Sequence, residues 1–294
     1  MQVAVIGTGN AGNALLHELA INPHIEKILV MSRSEDTATG SIMDVASAHP
    51  KHAEKIRYAP YERLSDADII VSTAGIRLEP GQTAKDVFIP NINISENILK
   101  AEYIKDTAII ICLATPVDDI TSYIQRKSKL PFNQVLGFGG DLDKNRLDYI
   151  LHRRHLDTNK AHILGEHGRN AIPVYAGEKY YSDIASEIRG YLSKMTMFSG
   201  QPRNLAVGQL LAKLVDSIVN DSKQIHYVCG YHKEYGVYLT WPFSIGRSGI
   251  LRSENLNPGP QATNDLQTLV SMRKNFFDQK RFAKTVTITA LKLS

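Results

Sequence analysis

Apolar residues in the first half of this chain fall in short continuous runs separated by stretches of helical spacing. Val3-Ala4-Val5-Ile6, ended by Gly7, is a run of the kind buried on both faces of a parallel sheet. Similar runs at 27–31, 56–59, 66–72, 108–113 and 135–138 predict further strands of the same type. Leu15, Leu16 and Leu19 set a helical stripe after the first run, and residues 37–48 and 86–100 read as helices. Strictly alternating strand and helix predicts a doubly wound parallel sheet, with its ligand crevice at the carboxyl ends of the strands. The second half changes character. It predicts a helix over 142–155, a long helix through Leu211, Leu214 and Ile218, a strand and turn at 238–242, and an amphipathic helix over 264–282.

Bulk properties narrow the function classes. A chain of 294 residues is comfortable for two domains, and 43% hydrophobic with 22% charged residues is ordinary globular composition. The net charge of +4 comes from scattered rather than clustered basic residues, which speaks against a nucleic-acid partner. Only Cys112 and Cys229 are present, in no C-x-x-C pattern, so neither a disulfide framework nor a metal site is expected. A strand pattern from Gln2 leaves no signal peptide, and no apolar run reaches transmembrane length. The expectation is a cytoplasmic protein without membrane contact.

Gly7-Thr8-Gly9-Asn10-Ala11-Gly12 stands between the first strand and the first helix. In that context the first glycine permits a tight turn. The second lets the backbone approach a pyrophosphate, and the third lets helix and strand pack closely. This is a Rossmann-type dinucleotide site, with Gly7, Gly9, Asn10, Ala11 and Gly12 as its residues. Where a carboxylate would contact the adenosine ribose of NAD at the end of the second strand, this chain has Ser32, Arg33 and Ser34. A hydroxyl and a guanidinium would accept a 2′-phosphate, so NADP(H) is expected to be preferred over NAD(H). The alternative is a solvated Arg33 with relaxed specificity.

The candidate chemistry lies between Val135 and Gly168. Asp143 and Arg146 are one helical turn apart, and the pentapeptide Leu164-Gly165-Glu166-His167-Gly168 follows. A carboxylate, a guanidinium and an imidazole are what oxidation of a 2-hydroxy acid requires. The imidazole exchanges the proton, the carboxylate holds it, and the guanidinium forks onto a substrate carboxylate. The glycine-rich start, L-D-x-x-R and G-E-H-G together resemble the lactate/malate dehydrogenase family, along essentially the whole chain. The resemblance implies an α/β protein with an N-terminal Rossmann domain (residues 1–140) and a C-terminal α+β substrate domain (residues 141–294). It implies catalytic roles for His167, Asp143 and Arg146, and cofactor contacts from Thr73-Ala74-Gly75 as well as from the glycine turn, Ser32 and Arg33. It also implies a homodimer or homotetramer acting on a small 2-keto or 2-hydroxy acid. His152 and His162 are read as structural, and Glu166 as having no chemical role.

Departures from the family pattern bear on the substrate. The loop 76–85 would close over it, yet the position of the loop arginine that polarises the keto oxygen is Ala84, followed by Lys85. The position of the second loop arginine of malate dehydrogenases is Leu78, beside Arg77. Thr115, in Ala114-Thr115-Pro116-Val117-Asp118, replaces an asparagine that contacts both substrate and cofactor. Arg203 stands where a small polar residue is usual; it reads equally as a compensating cation in the substrate pocket or as a surface residue. An uncharged or bulkier side chain, as in relatives that oxidise L-2-hydroxyisocaproate, fits Leu78 best. Asp148, two positions after Arg146, removes support for an allosteric sugar-phosphate site, and no arm precedes the first strand to support arm exchange. The rival reading is a dinucleotide-binding regulator or scaffold with little catalysis.

Overall fold

The structure, a computed structural model, describes residues 1–79, 81–200 and 204–276. The six strands of the first half are β1 (Gln2–Ile6), β2 (Lys27–Met31), β3 (Ile56–Tyr58), β4 (Ile69–Ser72), β5 (Ile109–Cys112) and β6 (Val135–Phe138). They pair in parallel in the order β3-β2-β1-β4-β5-β6. The order reverses between β1 and β4, which opens a crevice at their carboxyl ends. The connecting helices are α1 (Asn10–Ala20), α2 (Glu35–Ala48), α3 (Ala84–Ile98) and α4 (Val117–Ser128).

Period-two alternation explains why these strands read as unbroken apolar runs. Val3, Val5, Ile69, Val71, Ile109, Ile111, Leu136 and Phe138 point into one core, against Leu15, Leu16 and Leu19 of α1. Ala4, Ile6, Ile70, Ile110 and Cys112 point into the other, against Phe88 and Ile92 of α3 and Ile120 and Ile124 of α4. A sheet covered on both faces leaves its central positions to apolar residues.

The second half contains α5 (Gly140–Arg153), β7 (His162–Gly165), β8 (Ala171–Val174), α6 (Tyr181–Ser199) and α7 (Leu205–Val219). After these come β9 (Ile225–His232), β10 (Val237–Gly246), β11 (Gly249–Ser253) and α8 (Pro260–Phe276). Its antiparallel strands extend the parallel sheet rather than forming a separate one. β9 pairs antiparallel with β6 through Gly137↔Cys229 and Phe138↔Val228, and the order continues β9-β10-β7-β8, with β11 on β10. The fold class expected from the sequence, a doubly wound parallel sheet followed by α+β structure, is the one observed.

The boundaries that differ do so at caps. α2 starts at Glu35 because the Ser34 hydroxyl accepts from the Thr37 N–H at 3.3 Å. α3 starts at Ala84 because Thr83 and Asp86 form a capping box, with the Thr83 N–H donating to Asp86 Oδ2 at 2.6 Å. α5 begins two residues before the predicted Leu142 and ends at Arg153, short of His155, whose φ of 53° is left-handed. α8 begins at Pro260 rather than Asn264, and residues 277–282 of the predicted tail helix lie outside the described residues. Among the elements not predicted, α6 and β9 carry weak patterns. α6 buries only Tyr181, Ile184, Ala185 and Ile188, and β9 carries His226, Tyr227 and His232 within its run.

Ile110 sits at the centre of β5 with no exposed surface. Ile110→Ala should lower unfolding stability by ~2–5 kcal/mol, from lost burial and the cavity left behind. Urea denaturation checks this through the midpoint at constant slope.

Candidate active site

Residues predicted for the cofactor converge on the carboxyl ends of β1, β2, β4 and β5. Gly7 adopts φ +94°, which favours glycine, and donates its N–H to Met31 O at 2.8 Å. A Cβ on Gly12 would stand 2.0 Å from Gly7 O, so α1 meets β1 at backbone distance. Thr73 seats the turn from beneath, its hydroxyl donating to Ile6 O at 2.9 Å with Gly7 O at 3.1 Å. Gly9 faces open space and caps α1 without a side-chain hydrogen bond. No acidic residue lies in that first turn, which Asn10 and Ala11 open. Unclaimed N–H groups at a helix N-terminus beside open space suit a pyrophosphate, so this cradle fits a dinucleotide.

The adenosine end is less one-sided. The Ser32 and Thr8 hydroxyls lie 3.4 Å apart, and Arg33 is exposed next to Ser32. Ser34 is occupied as the α2 cap, and Glu35 and Asp36 follow it in the first turn. Ala74 and Gly75 follow Thr73 after β4, and a Cβ on Gly75 would stand 3.2 Å from both Ala114 Cβ and Asn91 Oδ1. Thr115 follows β5 and is half-buried.

Asp143, Arg146 and His167 meet as the sequence predicts, with a detail that spacing alone does not give. Asp143 is fully buried. Its Oδ2 accepts from His167 Nδ1 at 2.7 Å and from the Gly168 N–H at 2.8 Å. Its Oδ1 accepts from Arg146 Nη1 at 2.8 Å. The guanidinium is thus paired with the carboxylate as well as being its neighbour, and lies 5.4 Å from the centre of the Tyr191 ring. Burial works to raise the Asp143 carboxyl, but His167, then Arg146 and the Gly168 N–H, hold it below its ordinary value. Burial works to lower His167, and the Asp143 charge and hydrogen bond outweigh it, so the imidazole titrates above its ordinary value. Gly139 lies directly behind this ring: a Cβ there would be 2.4 Å from His167 Cγ.

Several contributors were not identified from the sequence. Asp118, noted only as part of a motif, is buried and accepts the His167 backbone N–H at 3.1 Å. Glu166, expected to have no role, pairs with Arg273 of α8. The usable signal for Arg273 was its position on the apolar stripe Leu266, Leu269, Val270, Arg273. Asn91, fully buried on α3, donates to Thr115 O at 2.7 Å and accepts from the Ile76 N–H at 2.6 Å, tying the loop base to Thr115. His162 bonds the Tyr227 hydroxyl at 2.8 Å, in keeping with its structural reading. Arg77, Leu78 and Lys85 are exposed, and Ala84 is the first residue of α3. Arg203 lies outside the described residues. Among the described residues there is no cluster of three or more metal-ligating groups, and no helix is long and apolar enough to cross a membrane.

A doubly wound sheet with a glycine cradle at its switch point and a buried Asp–His pair at its edge defines a class of nucleotide-dependent oxidoreductases. Residues 1–137 match the family described as lactate/malate dehydrogenase, NAD binding domain. The L-lactate dehydrogenase of Borrelia turicatae is 25% identical over 314 aligned positions, covering 96% of this chain and 98% of the relative. The malate dehydrogenase of Aeropyrum pernix is 28% identical over 276 positions, covering 85% and 89%. The solved structure of the Aeropyrum enzyme superposes with a TM-score of 0.82 over 95% of this chain and 99% of that one, at 27% identity. The first half of the chain thus matches that family's NAD binding domain, and the chain as a whole is similar in sequence and fold to L-lactate and malate dehydrogenases.

The Asp143–His167 pair should leave its mark on stability. His167 is raised, so its contribution is complete below about pH 6.5, the unfolded value, and is lost as pH rises through the folded value. Asp143 is depressed, so its contribution is present above about pH 4 and is lost as pH falls through its folded value. The stability lost in Asp143→Asn should therefore be largest between those limits and shrink at alkaline pH. Urea unfolding of both proteins at pH 5.5 and pH 9 checks this, and equal losses at the two pH values would refute it.

Proposed function

We propose that this protein is an NAD(P)-dependent L-2-hydroxy acid dehydrogenase, with residues 1–140 holding the cofactor and residues 141–294 carrying the substrate machinery. The observation that carries the reading is the single carboxylate of Asp143, which accepts at once from His167, Arg146 and the Gly168 main chain. In this reading His167 Nδ1–H donates to Asp143, which leaves Nε2 as the nitrogen that exchanges a proton with substrate. Protonated, it donates to the keto oxygen; neutral, it accepts from the hydroxyl. A pKa raised by Asp143 keeps the donating form available near neutrality and favours ketone reduction. Arg146 spends one N–H on Asp143 and retains others to bind the substrate carboxylate. When bound, the nicotinamide supplies or takes the hydride.

Ala84 at the loop-arginine position removes a donor worth about 3 kcal/mol at the developing oxyanion in comparable sites. Thr115 and Arg203 are the substrate-side groups proposed to offset it. Leu78 favours a monocarboxylic substrate with an uncharged or bulky side chain over a dicarboxylate. Ser32 and Arg33 support NADPH over NADH, because no carboxylate ends β2 to repel a 2′-phosphate. A homodimer or homotetramer is the proposed assembly, and the exposed Met197, Phe198 and Leu205 offer apolar surface for it.

The direct test follows nicotinamide absorbance during reduction of 2-ketoisocaproate, pyruvate and oxaloacetate, each with NADPH and NADH. Fast oxidation with a monocarboxylic keto acid is expected. A highest specificity constant for oxaloacetate would overturn the substrate assignment. Tight cofactor binding without turnover of any keto acid would favour a dinucleotide-binding regulator instead. In the same assay, Arg33→Ala should raise KM for NADPH about tenfold and leave KM for NADH nearly unchanged, the loss expected of one charge-assisted phosphate contact; equal effects would refute the 2′-phosphate role.

A further inference from the structure

The turn that carries His167 rests on a buried charge cluster. Arg273, on the C-terminal helix α8, is only 3% exposed. Its Nη1 donates to Glu166 Oε1, and its Nη2 lies 3.2 Å from Asp119 Oδ1 at the start of α4. The neighbouring Asp118 is 4% exposed, and its Oδ2 accepts the His167 backbone N–H at 3.1 Å. Glu166 Oε2 also accepts from the Asn170 side chain. One guanidinium therefore stands among three carboxylates contributed by two elements, and the residue after Glu166 is His167.

Buried carboxylates this close are tolerable only with a cation among them. Burial pushes Asp119 up to about 6 and raises Asp118 above its ordinary value, while Arg273 works to hold both down. Of the titratable groups facing this cluster, His167 lies on one side and the buried Cys229 thiol on another. Asp143, on α5, approaches His167 from the opposite side, through the ring rather than the main chain. The imidazole is thus fixed from two directions: its ring by Asp143, its backbone by Asp118. Only the first direction is contained in the D-x-x-R and G-E-H-G motifs.

We propose that Arg273 is a positioning residue for His167, tying α8 and α4 to the Glu166-His167-Gly168 turn so that the imidazole stays within reach of Asp143. It touches neither substrate nor cofactor in this role. Its kinetic consequence rests on the dehydrogenase reading; its geometric consequence does not.

The test uses the full chain, with Arg273→Met and Arg273→Lys compared against the unchanged protein. The first readout is the low-field Nδ1–H proton resonance of His167 in cofactor-free protein, assigned by its loss in His167→Asn. The second is kcat and KM with the best keto acid. Arg273→Met is expected to lose or broaden the resonance and to lower kcat at least tenfold, with KM for the cofactor within twofold. Arg273→Lys, which keeps a cation among the carboxylates, should recover the resonance. A folded Arg273→Met protein with a lowered melting temperature and an intact resonance would overturn the proposal, because Arg273 would then only support α8. If Arg273→Met fails to fold, Glu166→Ala cuts the arm from Arg273 to the turn, with Asn170→Ala as the control for the Glu166–Asn170 contact it also removes. The same loss is expected in Glu166→Ala, and an intact resonance in that variant refutes the proposal. If the unchanged protein turns over no keto acid, the resonance still decides the role of Arg273 while the dehydrogenase reading falls separately.

Discussion

The fold of the second half depends on keeping one fully buried carboxylate charged. Asp143 has no contact with solvent, and a buried anion is tolerated only when its oxygens are occupied by donors or cations. Three groups from two regions meet that demand: a guanidinium one turn along its own helix, and an imidazole and a main-chain N–H from the turn after β7. The demand works in both directions. It pulls the β7–β8 turn onto the first turns of α5, and that docking fixes His167. Gly139 makes the docking possible, because the His167 ring occupies the space where any larger residue would put its Cβ. Stability and chemistry are here the same set of hydrogen bonds.

What the sequence made legible follows the range of each signal. Buried parallel strands have no polar face, so their apolar runs were visible one by one, and the helices between them followed from spacing. The glycine turn was legible because backbone proximity at Gly12 and positive φ at Gly7 each require glycine. Asp143, Arg146 and His167 were legible as a set, but the direct Arg146–Asp143 bond was not, since a three-residue spacing allows the contact without requiring it. The pairing of Asp119 with Arg273 was missed because the two lie far apart in the chain and belong to different elements. Nothing local announces that partnership except a charge placed on an apolar stripe. β9 was missed for a related reason: His226 and Tyr227 are polar in composition yet find partners inside the fold, His226 with both Asp141 and Ser217 at 2.8 Å and Tyr227 with His162 at 2.8 Å.

Those last contacts show that α5 is anchored twice. Asp141 and Asp143 leave the first turn of the helix in different directions, and each accepts from a histidine Nδ1, the first from His226 and the second from His167. Asp141 also accepts the Tyr227 N–H at 2.7 Å. One pair is sealed in the core between α5, α7 and β9; the other faces the crevice. The helix carrying the candidate chemistry is therefore registered against β9 before any ligand arrives, as pre-organised sites require.

The β6–β9 ladder has a mechanical meaning. Many two-domain enzymes close over their ligands by swinging one half against the other about a hinge. Here a continuous ladder crosses the seam, so such a swing would shear the Gly137↔Cys229 and Phe138↔Val228 pairing. Beside the crevice, the Ile76 N–H is held by Asn91 Oδ1 and the start of α3 by the Thr83–Asp86 box. The ladder joins the two halves into one continuous sheet. The sheet that carries the glycine cradle and the sheet against which the histidine's turn is docked are thereby one frame.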